Sequence, residues 1–198
     1  VTGPLADGAD VTGNLDWTSG GSDPAGRDVF YHAMTAHDHI RLTEPGFTYL
    51  DYPMPLRFNL NQTCNAFWDG EGVNFFRAGG PCANTGRIAD VIYHEYGHGI
   101  TDLQYRPFYP NGAMHEGWSD YYAATITNQP LIGIGFTGPG TILRRIDQDR
   151  VWPDDIVEDD HITGLIIAGA LWDLREIVGA ARADSLWHFA RYGYADNY

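Results

Sequence analysis

IADVIYHEYGHGITDLQ, Ile88–Gln104, is the stretch on which the rest of the chain depends, and within it the five residues HEYGH, His94–His98. Ile88, Val91, Ile92, Tyr96 and Ile100 form an apolar stripe at helical spacing, and Asn84 or Thr85 can cap the start. Two histidines four apart on a helix share one face, one turn above the other. Their neutral imidazoles can both reach one metal ion, and Glu95, beside the first, can meet a water bound to it. The alternative is a buried helix that happens to hold two histidines.

A catalytic zinc wants three protein ligands and one open position. A histidine six residues past His98 is not available, because Gln104 stands there. Residues 112–122, GAMHEGWSDYY, offer a glutamate instead: Glu116 and Asp120 are four apart and share a face of a second helix. Glu116 can bind the metal, while Asp120 can accept the free N–H of a ligand histidine, His94, and so fix its tautomer. His115 is the rival third ligand, but its neighbour four residues on is Ser119, which has no carboxylate. A solvated face is a poor account of Glu116 and Asp120, since Trp118, Tyr121 and Tyr122 share their helix.

The 198 residues fit one compact domain or two small lobes around a cleft. With 43% hydrophobic and 14% aromatic residues the chain can build a core. Net charge is −14, and every basic residue is an arginine, which argues against a nucleic-acid partner. No run approaches the eighteen apolar residues of a membrane span. The chain opens at Val1 without a charged or apolar leader, so it reads as a mature or trimmed product of export. Cys64 and Cys82 flank a hairpin and in a secreted chain would pair; the alternative is two buried thiols.

Along the chain, residues 1–22 read as an irregular arm with one short strand. Asp23 as cap and Pro24 at the first helical position start a helix that ends before Pro45, with Val29, Ala33, Ala36 and Ile40 on one side. Its His32, His37 and His39 are expected to pack or be solvated, because five-residue spacing does not share a face. Leu56–Asn61, Asn65–Trp68 and Val73–Arg77 read as strands, the last two around the turn Asp69–Gly72. The second helix is predicted from about Ala113 to Thr127. Gly133–Gly140 lacks the lysine and spacing of a phosphate cradle and reads as turns. An acidic segment, Asp147–Asp160, precedes a third helix, Thr163–Val178, apolar enough to be predicted as buried, and a fourth, Ala183–Arg191.

Taken together, HEYGHGITD and EGWSD resemble the zinc and third-ligand motifs of the gluzincin metallopeptidases, in their thermolysin-like and, more closely, fungalysin-like branches. CNAFWDG, Cys64–Gly70, is similar to the family's edge strand, and HITGLIIAGALWDLRE, from His161, to its late histidine and long helix. The resemblance covers most of residues 56–180 in the family's order.

It implies an α+β, two-lobed zincin fold over a single catalytic domain, 1–198. A strand-containing lobe with the active-site helix would span about 1–104, a mainly helical lobe about 105–198, with the cleft between. It also implies a monomeric, secreted endopeptidase acting on peptide or protein substrates. Zinc would sit on His94, His98 and Glu116, with Glu95 as general base. Substrate would add antiparallel to the edge strand, held by main-chain groups of Ala66 and Trp68 and the side-chain amide of Asn65. Arg144, with Arg145 as rival, would donate to a substrate carbonyl beyond the cut. Val91 and Leu143 would line the pocket for a hydrophobic side chain just after it. His161 would stabilise the oxyanion, held by one of Asp154, Asp155, Asp159 or Asp160. Tyr109, or second Tyr105, would assist it. Asp90 matches a position that binds calcium in thermolysin-like enzymes, although Thr127 replaces a usual acidic partner; the acidic segment 147–160 is the other calcium candidate. The rival activities are a gluzincin aminopeptidase, with Glu71 as a thin candidate anchor for a substrate amine, and a zinc-stabilised binding module without turnover.

Overall fold

Helix α1 (Pro24–Thr43) starts at its cap: the Asp23 carboxylate accepts the amides of Ala25 and Gly26 at 2.7 and 3.2 Å, and Pro24 has no amide to leave unpaired. The computed structural model describes residues 23–107 and 109–193, so the amino-terminal arm and its expected strand lie outside it. Ala25, Val29, Ala33, Ala36 and Ile40 are buried on one side of α1. Its histidines go to separate partners: His32 to the Tyr93 hydroxyl at 2.7 Å, His37 to Asp51 at 2.7 Å and His39 to Asp184 at 3.2 Å. They fasten the helix to its surroundings and do not converge.

Strands β1 (Leu56–Leu60), β2 (Ala66–Trp68) and β3 (Val73–Phe76) form a sheet in the order β1-β3-β2. β2 and β3 are an antiparallel hairpin, while β1 lies parallel to β3 on its other side. The hairpin turn is set by Asp69, whose Oδ1 accepts the amides of Glu71 and Gly72, and by Gly70 at φ +92°. Among the described residues β2 therefore keeps one edge unpaired within the sheet. Cys64, at its entrance, is disulfide-bonded to Cys82.

Helix α2 (Ala89–Tyr105) is buried on nearly every side. Its cap differs from the expectation. Asn84 caps a short 3-10 turn, Thr85–Arg87, and Ile88 precedes α2 with no side-chain cap. Thr85 is committed elsewhere: its hydroxyl accepts the Phe76 amide and donates to the Asn65 carbonyl, both at 2.9 Å, which ties the ends of the hairpin together. Helix α3 (Gly112–Thr127) is capped by Asn111 and ends on Asn128 in the left-handed conformation.

A two-stranded ribbon follows, β4 (Leu131–Ile132) with β5 (Arg144–Arg145). The loop between them turns at Gly133, Gly135, Gly138 and Gly140, all at positive φ. The helices α4 (Asp160–Thr163), α5 (Leu165–Val178) and α6 (Ala180–Ala190) follow, and a 3-10 turn, Arg191–Gly193, completes the described chain. The third predicted helix is thus interrupted at Gly164, where the backbone comes against α3. A Cβ on Gly164 would lie 2.7 Å from the Ala113 carbonyl oxygen. Nor is α5 buried throughout: Leu165, Ala168, Gly169 and Trp172 are, but Ile177 is 81% exposed, so an apolar sequence here covers the core with one face only. The result is a mixed α+β fold with α2 at its centre.

Candidate metal centre

Two helices meet at a glycine. A Cβ on Gly97 would stand 3.0 Å from the Ser119 Cα, so α2 and α3 approach closely just where one carries His94 and His98 and the other Glu116 and Asp120. Glu116 brings Oε2 to 3.1 Å from His94 Nε2 and Oε1 to 3.5 Å from His98 Nε2. One ligand atom from each of these three residues lies within 4.8 Å of the others, and among the described residues this is the group able to hold a metal ion. Glu116 Oε2 is buried with no hydrogen-bond partner. A buried carboxylate oxygen facing two imidazole nitrogens is poorly provided for without a cation. Two nitrogens and one oxygen, with the fourth side facing a cleft, fit a zinc ion that keeps an open position.

Behind these groups stands a shell of partners. Asp120, fully buried, has Oδ1 2.8 Å from His94 Nδ1, at hydrogen-bonding distance although not well aligned for a bond. The same carboxylate takes Arg144 in two bonds of 2.6 Å. Burial would favour neutral Asp120, but the Arg144 charge and His94 hold it below the usual carboxylate range. Burial likewise disfavours charge on His94, yet Asp120 and Glu116 outweigh it and hold the imidazole up to about 10 in the metal-free protein. Burial opposes ionisation of Glu116 too, and the two histidines overcome it.

His115, the rival in sequence, is not part of that convergent group. Its Nδ1 lies 2.5 Å from His98 Nδ1, on the side of that ring facing away from Glu116, and Ser119 Oγ lies 3.1 Å from the same nitrogen. Burial, then the neighbouring His98, push His115 down to about 3, so it stays neutral and can accept the His98 N–H. Neither this contact with His98 nor that of Ser119 was evident from the sequence. The available signal was position: both residues lie on α3 within a turn of Glu116.

The cleft, about 590 Å³, is lined by Asn65–Trp68 of the edge strand and by His94, Glu95, His98, Tyr109, Glu116 and His161. Glu95 is 6% exposed, on the cleft floor beside His94. His161 stands on α4 with Nε2 3.4 Å from Glu116 Oε2 and Nδ1 3.2 Å from Asp159 Oδ1, so of the acidic candidates it is Asp159 that holds it. Tyr109 is exposed on the cleft wall, whereas Tyr105 is buried in a stack on Trp118. An adjoining cavity of about 290 Å³ has Val91, Ile132, Phe136, Leu143 and Arg144 in its walls and shares His94, Glu95 and His161 with the cleft. Arg144 faces it with its charge paired to Asp120, while Arg145 is drawn to Asp147 at the surface. Trp68 donates its indole N–H to Asp102 at 2.9 Å, which holds the edge strand against α2.

Calcium is not supported at either expected place. Asp90 is buried with Oδ2 on the Ile134 amide at 3.0 Å, burial pushes its pKa up, and no metal-binding group forms around it among the described residues. In the acidic segment, Asp147 is spent on Arg145, Asp155 on the Val151 amide and Asp159 on His161.

No protein-family model matches the chain, and no curated protein does. Among solved structures, it is similar to the precursor of protealysin, a metalloproteinase from Serratia proteamaculans. The TM-score is 0.73 at 18% identity, over 94% of this chain and 72% of that one. At this identity the likeness speaks for the fold, and the fold is metallopeptidase-like.

Proposed function

We propose that the chain is a zinc-dependent endopeptidase of the gluzincin kind, secreted, and cutting peptide bonds before hydrophobic residues. In this reading the cleft lies between two lobes that divide near residue 104. The observation that carries the proposal is the convergence of His94, His98 and Glu116 within 4.8 Å, at a cleft that the outer strand β2 of the described sheet also borders. Asn65, Ala66 and Trp68 hold an extended substrate along β2 by main-chain and amide bonds. The cavity walled by Val91 and Leu143 takes the apolar side chain after the cut. When bound, zinc supplies Lewis acidity and lowers the pKa of water to about 7. Glu95 takes the proton of the attacking water and returns it to the leaving amine. His161, steadied by Asp159, donates to the oxygen on which charge develops, with Tyr109, which lines the same cleft, as a second donor. Asp120 keeps His94 in the tautomer that presents Nε2, and His115 does the same for His98.

The test is zinc content measured alongside hydrolysis of a peptide blocked at both ends, with and without a chelator. One zinc per chain and chelator-sensitive internal cleavage are expected. Cleavage only of peptides with a free amino terminus would make the chain an aminopeptidase, and zinc without any cleavage would make it a binding module. Glu71 gives the aminopeptidase reading little help, because its side chain does not line the cleft.

A further inference from the structure

We infer that Arg106 makes the upstream end of the cleft select an acidic side chain two or three residues before the cut; the inference rests on the endopeptidase reading. Arg106 follows the last residue of α2, and its Nη2 reaches across to the hairpin turn. It donates to the Gly70 carbonyl at 2.8 Å and to Asp102 Oδ2 at 2.9 Å. It lines the same cleft as the candidate metal ligands, at the Phe67–Gly70 end of the edge strand.

The register follows from the strand. A substrate antiparallel to β2 that has its reacting bond near Ala66 and the metal ligands runs upstream past Trp68 toward Gly70. At about 3.3 Å per residue, side chains two or three positions upstream arrive beside Arg106.

The charge they meet is positive. Arg106 and Asp102 form an ion pair, but its halves are unequally visible: the Arg106 side chain is 45% exposed and that of Asp102 only 7%. Asp102 is further covered by Trp68, whose indole N–H it accepts. The other nearby carboxylates, Asp69 and Glu71, do not line the cleft, and Asp69 is paired with Arg57 at 2.5 Å. Asp102 also borders the cleft, so what the pair offers a passing substrate is chiefly its cation, by far the more exposed half. On a chain of net charge −14 this is a local exception, so it acts on one subsite and not on the substrate as a whole.

The experiment compares kcat/KM for blocked peptides identical except at the second and third residues before the cut, where each carries Glu, Gln or Lys. The zinc-loaded parent, Arg106→Gln and Arg106→Lys are assayed in parallel. In the parent, Glu is expected to exceed Gln by about threefold to fivefold at one of the two positions, the size of an exposed charge pair. The ratio should shrink toward one in about 0.5 M salt and in Arg106→Gln, and persist in Arg106→Lys. Cleavage of the Gln peptide with no advantage for Glu, or an advantage that survives in Arg106→Gln, overturns the inference alone. No cleavage of any peptide overturns the endopeptidase reading and this inference with it.

Discussion

Asp120 Oδ1 lies 2.8 Å from His94 Nδ1, and that carboxylate also binds Arg144 twice. One buried acid therefore stands against a candidate zinc ligand and neutralises a cation in the adjoining cavity. Asp120→Asn keeps the size and removes the charge. Zinc affinity is expected to fall by about 10- to 100-fold, as when an outer partner of a metal-bound histidine is lost. Competition with a metal-buffered dye measures it, and an unchanged affinity would detach Asp120 from the metal centre.

Glu95 calls for the opposite outcome. It is buried beside His94 but is not one of the three convergent residues. Glu95→Gln is expected to leave zinc stoichiometry at the parent's value while turnover drops by at least about 10²-fold, the range for a lost general base. Elemental analysis and a blocked-peptide assay on one preparation decide it. Turnover at the parent's rate would reassign the proton transfer.

Much of this was legible in residue spacing. Four-residue separation forces His94 with His98, and Glu116 with Asp120, onto single helix faces whatever the rest of the chain does. Asp23-Pro24 and the Asp69–Gly72 turn act through their own backbone bonds and were equally readable. What escaped depended on neighbours distant in sequence. Thr85 serves the hairpin instead of capping α2 because Phe76 and Asn65 reach it first. The break at Gly164 and the exposure of Ile177 follow from where α3 presses on α4 and α5. The choice of Asp159 for His161 likewise needed coordinates, since Asp154, Asp155 and Asp160 matched equally well in sequence, and nothing in the spacing paired His115 with His98.

Gly117 tests that helix contact. A Cβ there would come 2.3 Å from the Gly164 carbonyl oxygen and from Ile167 Cγ2, and the backbone cannot swing aside as a side-chain end can. Gly117→Ala is expected to cost about 1–3 kcal/mol, as overpacking does. It should also depress activity, because α3 carries Glu116 and α4 carries His161. Gly46→Ala, whose Cβ would meet nothing within 4 Å, is the neutral control. Equal melting temperatures for the two variants would show that α3 and α4 can separate at little cost.

His188 makes stability depend on pH away from the cleft. It is fully buried, with Nε2 2.5 Å from Glu44 Oε2 and Nδ1 2.9 Å from Arg191 Nη2. Arginine can only donate, so Nδ1 accepts and Nε2 carries the proton given to Glu44; a second proton would face the guanidinium N–H. Burial first, and then Arg191, lower the His188 pKa from 6.5, against the pull of Glu44. Below 6.5 the unfolded chain therefore takes up a proton that the native one resists, and stability present above 6.5 is lost as pH falls toward the native value. Glu44 acts with the same sign lower down. Burial would raise its pKa from 4.5, but the bonds from His188 and Tyr192 bring it below, so its contribution goes as pH drops through the acid range. Urea midpoints should accordingly decline from pH 7.5 to 5.5 in the parent, and decline less steeply in His188→Gln, which cannot titrate. His32 and His115, also held below their ordinary value by burial, add to that slope, while His94 in the metal-free protein, held up to about 10, acts against it in parent and variant alike. If the variant's slope equalled the parent's, proton uptake at His188 would play no part in it.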